Sequence, residues 1–271
     1  MKKAFPLLLL VSVAFIGCYY APEITAPPVY TERQEQNPYY ILPNNIPPLL
    51  RDKGDMLCSV NYSGSDACNG FDMFMAHKPT AHFGYLINYS AHFGKVRQDD
   101  WYNGEWSTER FETGVGYSTA INRLLMTECY AGFGFGTIDN DHATGYSSLN
   151  QWNVFMQPAI SICDKKQNNE LGFLLRLNNV HIDINNYNFD ENREIFTGKQ
   201  FNLMREKPSQ WLLEPGIVYR FGWPIFKFQI AGHYSANLTA PDLESKNVTL
   251  AAGIVFKFST LRKKATGDPK N

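Results

Sequence analysis

The chain has 271 residues, a formal net charge of -1 and a sequence pI of about 6.6. This near balance of charge provides no attraction to polyanions, so nucleic acid is not predicted as a partner. Aromatic residues make up 14% of the chain and charged residues 19%, which is aromatic-rich and charge-poor for a soluble domain. Beyond the N-terminus, no apolar stretch reaches the roughly 20 residues of a transmembrane helix, so any membrane crossing must be made by strands.

Residues 1–17 have the features of a secretory signal peptide. Two lysines near the start precede an apolar segment at 5–16 that is too short to span a bilayer. The segment ends in a glycine followed by Cys18, as in the lipobox of bacterial lipoproteins, although phenylalanine stands where leucine is usual. We therefore predict lipidation at Cys18, and the alternative is a plain secretory signal with an unmodified cysteine.

Residues 18–53 are predicted to be a lipid anchor and a Pro-rich linker. Seven prolines between positions 22 and 48 interrupt any regular element. Such a segment suits a tether between an anchor and a folded body. The folded body is predicted at 54–258, and residues 259–271 form a basic C-terminal tail.

From Gly54 onward, apolar and polar residues alternate with a period of two. We predict ten strands, at 54–62, 70–77, 82–91, 107–118, 122–136, 151–163, 169–181, 210–221, 224–236 and 247–258. Most have the length of about 9–11 residues that a tilted transmembrane strand needs. No strong helical repeat separates them, so a parallel α/β fold is not predicted.

Alternation alone leaves open which face of each strand points inward, because a soluble barrel buries its apolar face and a membrane barrel exposes it. Here the polar face is rich in glycine and carries few charges of mixed sign, which fits a narrow lumen better than a solvent-facing sheet. The predicted lumen set is Arg110, Glu112, Glu128, Arg176, Glu214, Arg220 and Lys227. The predicted lipid-facing set includes Phe133, Ile217, Phe228 and Ile254.

The connections between the predicted strands alternate between short and long. The second, fourth, sixth and eighth are short turns, and the seventh, at about 182–209, is the longest. Outer-membrane barrels show this alternation, with short turns on the periplasmic side. Pro158 and Pro215 fall within strands, where we expect β-bulges, because proline cannot donate to the ladder.

The sequence therefore predicts an all-β fold, a closed antiparallel up-and-down transmembrane β-barrel of about ten strands, in the bacterial outer membrane. Membrane lipid is its predicted partner. A soluble, lipocalin-like ligand-binding barrel is the alternative, because it shows the same alternation with the faces reversed.

The segment that leads into the first strand, Pro-Pro-Leu-Leu-Arg-Asp-Lys-Gly-Asp at 47–55, carries a family resemblance. Together with Cys18, the Pro-rich spacer and a last strand ending at 256–258, it resembles a group of uncharacterised bacterial outer-membrane β-barrel lipoproteins. The resemblance covers most of the mature chain and implies the fold and the location. It implies no activity.

Function is predicted to lie in the long outer connections. The third and seventh combine aromatic and polar residues of the kinds that anchor recognition surfaces: Trp101, Tyr102, Trp106, Tyr187, Phe189, Asp190 and Arg193. We expect a structural or surface-recognition role with an extracellular or periplasmic protein partner. A wide channel is not predicted, because about eight strands already give an interior that side chains fill.

An omptin-like hydrolase at the barrel mouth is the enzymatic alternative. Asp99 and Asp100 lie in the third connection and His181 and Asp183 begin the seventh, and a histidine oriented by a carboxylate can activate water. The flanking residues do not reproduce an omptin signature, so no catalytic site is assigned. No phosphate loop, nucleophile elbow or HExxH pattern is present, and no cofactor is predicted.

Cysteine and histidine spacing predicts no metal site. Asp139, Asp141 and His142 are interpreted as solvated turn residues. Cys58 and Cys68 either close a small loop as a disulfide or are free thiols, and both possibilities stay open.

Overall fold

The computed structural model describes residues 40, 43, 45–65, 68–98, 102–142, 145–188, 195–243 and 247–258. The predicted signal peptide, Cys18, Asp99, Asp100, Trp101, Phe189, Asp190, Arg193 and the basic tail lie outside these ranges. The elements are β1 (Met56–Ser65), β2 (Cys68–His77), β3 (Phe83–Gln98), β4 (Tyr102–Ala120), β5 (Leu125–His142), β6 (Gly145–Cys163), β7 (Asn169–Asn188), α1 (Ile195–Glu206), β8 (Ser209–Gly222), β9 (Phe226–Tyr234), β10 (Ala236–Asn237) and β11 (Val248–Lys257). Within the described residues, no helix has the length and hydropathy to span a bilayer.

The strands form one closed antiparallel barrel. Each strand from β1 to β9 pairs with the next along the chain, and β11 pairs with both β9 and β1, which closes the sheet. The two-residue β10 continues β9, because the pairs Ala236–Leu213 and His233–Gly216 have the same register on β8. The ten-stranded, up-and-down barrel predicted from the sequence is confirmed.

The register fixes the tilt of the strands. A row of paired residues that starts at His181 on β7 passes once around the barrel and returns to β7 at Asn169, twelve residues away. For ten strands, this stagger requires a tilt of roughly 40° from the barrel axis. Such a tilt is the usual one for outer-membrane barrels.

The two faces of the strands have opposite polarity. Arg176, Arg220 and Glu214 are at most 2% exposed and lie inside, whereas Phe133 and Ile217 are 56% and 45% exposed on the outside. Phe228 and Ile254 are also exposed on the exterior. Because a soluble barrel would bury these apolar side chains, the lipocalin-like alternative is wrong.

The apolar exterior has the height of a membrane. On β6 the exposed apolar side chains run from Trp152 to Ile162, roughly 33 Å along the strand. At a tilt of about 40°, this corresponds to roughly 25 Å, the height of the apolar band of outer-membrane barrels. The protein is therefore a transmembrane β-barrel of the kind that resides in the bacterial outer membrane.

Several strands continue beyond this apolar belt on the side opposite the short turns. The β3–β4 ladder extends to the pair Gln98–Tyr102, and the β5–β6 ladder extends to His142–Gly145. The third and fifth connections, predicted as long loops, are therefore mostly strand. The prediction failed because the inner face of the outer strand part mixes apolar residues such as Ile138 and Leu149 with polar ones such as Asn140, which leaves no clear period of two.

The seventh connection also differs from the predicted loop. β7 extends to Asn188, and helix α1 follows before β8 begins. Tyr187 is 36% exposed, as an outer residue should be. Trp106, predicted to be an exposed recognition residue, is 2% exposed and points into the barrel.

The two strand prolines interrupt the ladder without changing its register. The β6–β7 pairs stop at Met156–Leu177 and resume at Ala159–Leu174, so Pro158 introduces no extra residue. The bulge expected at each proline is therefore wrong. A register shift occurs instead after Ser148, where β7 contains one additional residue.

Candidate functional site

Tyr40 and residues 45–50 of the same chain, which we call the lumen segment, are buried inside the barrel. They belong to the segment predicted to be a linker. The segment descends from Tyr40, in the half of the barrel near α1, to Leu50 at the short-turn end, where the chain turns into β1. The linker prediction for 18–53 is thus corrected for these residues, and their apolar side chains Leu49 and Leu50 were the sequence signal for it.

Arg176 is the centre of an ionic network in the middle of the lumen. Its Nη2 donates to Glu112 Oε1 at 2.6 Å, and its Nε lies 3.3 Å from Glu214 Oε2. Its Nη1 donates to Asn45 Oδ1 at 2.7 Å, and its guanidinium lies 3.9 Å from the centroid of the Phe155 ring. The lumen segment therefore contributes a side chain, that of Asn45, to this network.

Tyr40 extends this network toward the outer side. Its hydroxyl donates a short hydrogen bond to Glu214 and accepts hydrogen bonds from Arg110 Nη1 at 3.3 Å and Asn178 Nδ2 at 3.2 Å. The Arg110 guanidinium also lies 4.8 Å from the centroid of the Tyr40 ring. The Tyr40 hydroxyl thus connects Glu214, Arg110 and Asn178 at the outer end of the network.

A second ionic cluster lies lower in the lumen, around Glu170. Its Oε1 is 2.6 Å from Lys227 Nζ and 2.9 Å from Lys257 Nζ, and its Oε2 is 3.8 Å from Arg220. Arg220 donates to the carbonyls of residues 47 and 48 at 2.8 and 3.3 Å. Glu128 accepts a hydrogen bond from Leu49 N at 3.1 Å. The seven predicted lumen residues therefore all lie inside the barrel, and most of them contact each other or the lumen segment.

Lys78, in the short turn after β2, holds the lower end of the lumen segment. Its Nζ donates to the carbonyls of Leu50, Arg51 and Ser118 at 3.1–3.3 Å. Burial lowers the pKa of the Lys78 ammonium, and the carboxylate of Asp55 acts in the opposite direction. This contact fixes the chain where it leaves the lumen.

Apolar clusters fill the lumen above and below the Arg176 network. The upper cluster packs Phe201 and Met204 of α1 against Tyr40 and against strand residues such as Val180 and Leu212. The lower cluster packs Ile46 and Leu50 against strand residues, among them Leu57, Phe74, Tyr130 and Phe155. Because apolar clusters and paired charges of the described residues pack the interior together with the lumen segment, the lumen is built as a core rather than as a reaction site.

A separate polar cluster lies on the outer wall of the barrel, at the end of the apolar belt. His181 Nε2 is 3.1 Å from Asp183 Oδ1, and His181 Nδ1 is 2.7 Å from Ser209 Oγ on the neighbouring strand. The ring of His181 stacks on Trp152 with centroids 4.9 Å apart. The contact between His181 and Asp183 matches the dyad considered from the sequence, whereas Ser209 was missed, because a single serine has no sequence signature.

Asp99 and Asp100 lie outside the described residues. The last described pair of the β3–β4 hairpin is Gln98–Tyr102, and Phe111 is the β4 residue in the same pairing row as His181. The Gln98–Tyr102 pair therefore lies about nine residues, or roughly 30 Å along the strand, beyond the row of His181. The omptin-like site that includes Asp99 and Asp100 stays a prediction.

A groove of about 440 Å³ opens on the lipid-facing wall beside Trp152. Its lining combines aromatic side chains of β3–β6 with polar residues at its outer end, namely Tyr89, Glu109, Phe111, Phe135, Thr137 and Asn150. Asp139 and Asp141, further out on β5, are exposed, as expected for solvated residues. The side chain of His142 is not described.

The structure decides between the two alternatives for Cys58 and Cys68. Cys58 pairs with Met75, and Cys68 pairs with Ser65, so the two cysteines lie roughly 23 Å apart along the β1–β2 hairpin. This separation excludes a disulfide between them. Cys129 is exposed and Cys163 is buried, on opposite faces.

Comparisons with known proteins find similarity in structure only. No family model matches the chain, and no curated protein sequence matches it. The translocator domain of the autotransporter NalP from Neisseria meningitidis is 7% identical over 75% of this chain and 88% of its own, with a TM-score of 0.42. The attachment invasion locus protein Ail of Yersinia pestis is 9% identical over 76% of this chain and 99% of its own, with a TM-score of 0.34. The outer membrane protein OprG from Pseudomonas aeruginosa is 10% identical over 77% of this chain and 97% of its own, with a TM-score of 0.32. At identities this low, the likeness concerns the fold alone.

Proposed function

We propose that this protein is a closed outer-membrane barrel that presents a rigid, strand-built surface to a protein partner outside the cell. The observation that carries the proposal is the extension of β3–β7 beyond the apolar belt. On β6 the residues from Gly145 to Gln151 extend roughly 23 Å past Trp152. Because the extension is a paired sheet, it offers a preorganised surface, which lowers the entropy cost of binding.

The charge of this extension favours a basic partner. Its described exterior face carries more acidic than basic side chains, with Lys95 paired to Glu105 at 2.8 Å and the remaining carboxylates on Glu109, Asp139, Asp141 and Asp183. Complementary charge accelerates encounter and disfavours like-charged competitors. We therefore expect the partner to contact this wall through lysine and arginine side chains.

The filled lumen supports recognition over transport. The described interior holds Tyr40 and residues 45–50, the two ionic clusters and the buried side chains of α1, from the short-turn end to the outer half of the barrel. A diffusion channel requires a water-filled lumen, which this packing removes.

The test is binding by cells that display the barrel. Wild type and an Asp139→Asn/Asp141→Asn variant would be compared on a panel of purified extracellular proteins that range from acidic to basic, with Ser107→Ala as a control on the same wall. We expect binding to basic members that weakens with salt and falls in the double variant. Binding no greater than that of barrel-free cells, or binding unchanged in the double variant, would contradict the proposal.

Lipidation at Cys18 is the second part of the proposal. It is supported by the apolar segment at 5–16 and by the glycine that directly precedes Cys18, as in a lipobox.

Acyl labelling of wild type and of a Cys18→Ala variant tests this part. Labelled wild type and unlabelled Cys18→Ala protein would support the anchor. Equal labelling of the two proteins would remove the lipid claim and leave the barrel assignment intact.

A further inference from the structure

A hydrogen-bonded chain on the outer wall of the barrel joins Ser209, His181 and Asp183, and charge attraction to a partner does not explain this arrangement. Ser209 Oγ is 2.7 Å from His181 Nδ1, and His181 Nε2 is 3.1 Å from Asp183 Oδ1. Ser209 and Asp183 are exposed, while His181 is 22% exposed and held by Trp152. This order, a hydroxyl bonded to an imidazole that a carboxylate orients, is the arrangement of a nucleophile, its base and its orienting group.

The rigid strands explain why these three side chains meet. His181 and Asp183 are two residues apart on β7 and therefore point to the same face, and Ser209 is the direct cross-strand partner of His181 on β8. The cluster thus stands on paired backbone instead of a loop. Such placement keeps the distances fixed without a bound ligand.

The geometry points to an ester-hydrolysing site, and we propose that its substrate is the acyl ester of an amphiphile in the outer leaflet. Trp211 lies two residues below Ser209 on the same face, and Trp152 stacks on His181. Both tryptophans are about half exposed and mark the outer edge of the apolar belt. An ester that links an acyl chain to a polar headgroup lies at this depth.

The lipid-facing groove beside Trp152 supports an amphiphilic substrate. Its volume of about 440 Å³ and its aromatic lining suit an acyl chain, and Thr137 and Asn150 at its outer end suit polar groups. The groove begins two strands from Ser209, so one chain of a lipid with several chains can occupy it while another ester meets the serine.

The proposed reaction balances with the groups present. Asp183 accepts the Nε2–H of His181, which leaves Nδ1 free to take the proton of Ser209 as Oγ attacks the carbonyl carbon. The alcohol leaves with that proton, and water, deprotonated by the same nitrogen, then releases the carboxylic acid and restores Ser209. Trp211 N donates to Thr239 Oγ1 at 3.0 Å, so N–H groups of this parity on β8 point away from β7. The Ser209 N–H shares that parity and is the donor assigned to the developing oxyanion.

The experiment uses the full-length barrel in detergent micelles and in vesicles, with long-chain and short-chain p-nitrophenyl esters and a fluorophosphonate probe. We expect hydrolysis of long-chain esters and labelling of Ser209. Ser209→Ala should abolish both, and His181→Ala should lower the rate by about 10²–10⁴-fold. Asp183→Asn should lower it less, by about tenfold, because this carboxylate is exposed. Ser107→Ala on β4 is the matched control, and heat-modifiable gel mobility reports that each variant is folded.

Each outcome bears on the proposal independently of partner binding. No hydrolysis and no labelling of a folded wild-type barrel would overturn it. Hydrolysis that survives Ser209→Ala would place any activity elsewhere and would also overturn it. A Ser209-dependent preference for short, soluble esters would overturn the assignment of an outer-leaflet substrate.

Discussion

Replacing Arg176 with methionine should strongly destabilise the barrel. Arg176 is 2% exposed and contacts Glu112 and Glu214, each 1% exposed. Methionine retains most of the apolar volume but removes the only guanidinium that bridges both carboxylates in the described lumen. Because removing one partner of a buried ion pair leaves an uncompensated charge, we expect a loss of about 3–5 kcal/mol in the free energy of unfolding.

The assay is reversible urea unfolding of the purified barrel in detergent micelles, followed by tryptophan fluorescence and by gel mobility. The matched control is Lys95→Met, which breaks the ion pair with Glu105 on the outer wall, where the two side chains are 75% and 65% exposed. An exposed ion pair contributes about 0–1 kcal/mol, so the control should unfold nearly as wild type does.

A second variant separates charge from packing. Adding Glu112→Gln to Arg176→Met removes one of the carboxylates that lost its guanidinium partner. The double variant should therefore recover part of the stability that Arg176→Met loses. If Arg176→Met is as stable as Lys95→Met, the network is not a stabilising closed core. If the loss of stability of the double variant relative to wild type equals the sum of the losses of Arg176→Met and Glu112→Gln, the two side chains are not coupled.

Three further outcomes follow from the packing. Gly132→Ala should destabilise the barrel by about 1–3 kcal/mol in urea unfolding, because a Cβ there would lie 2.1 Å from the Thr113 carbonyl oxygen, whereas Gly232→Ala, with its nearest contact at 3.4 Å, should be tolerated. Ile217→Arg, on the lipid-facing exterior near mid-belt, should cost about 2–4 kcal/mol when refolded into vesicles, and a neutral result would argue against membrane insertion. Replacing residues 40–50 with a Gly/Ser segment should open the lumen to ions in planar bilayers, and equal conductance of the variant and wild type would contradict the closed lumen.

The barrel and its sidedness were predictable because each transmembrane strand must satisfy two environments at once. Neighbouring residues such as Arg110 and Phe111 point to opposite sides, one into the lumen and the other to lipid. Polar and apolar residues therefore alternate with a period of two in the sequence. The glycines on the polar face indicated that this face lines the lumen. At Gly132 the neighbouring strand takes the space that even a methyl group would need.

The parts that were missed follow different physics. The outer extension is solvated on its exterior, where Asp139 and Asp141 are exposed. Its inner face mixes polar residues such as Asn140 with apolar ones such as Ile138, so no clear apolar period remains. The lumen segment is stabilised by long-range contacts, such as that between Tyr40 and Glu214, which no local pattern encodes. Its prolines suit an extended plug as well as they suit a tether.

The segment that carried the family resemblance, 47–55, has a structural role in this barrel. Nearly every position in it helps to close the lower lumen: the carbonyls of residues 47 and 48 accept from Arg220, the amide of residue 49 donates to Glu128, and the carbonyls of residues 50 and 51 accept from Lys78.

The turn out of the lumen uses the rest of the same segment. Asp55 Oδ2 accepts from the amides of Arg51 and Asp52 at 3.0 Å, and Gly54 adopts a φ of 85°, a left-handed conformation that favours glycine. The segment that carried the resemblance is therefore explained in this chain by closure of the lower lumen and by the turn into β1. Because its described side chains and backbone groups are engaged in closure, the segment provides no argument for or against an activity on the outer wall.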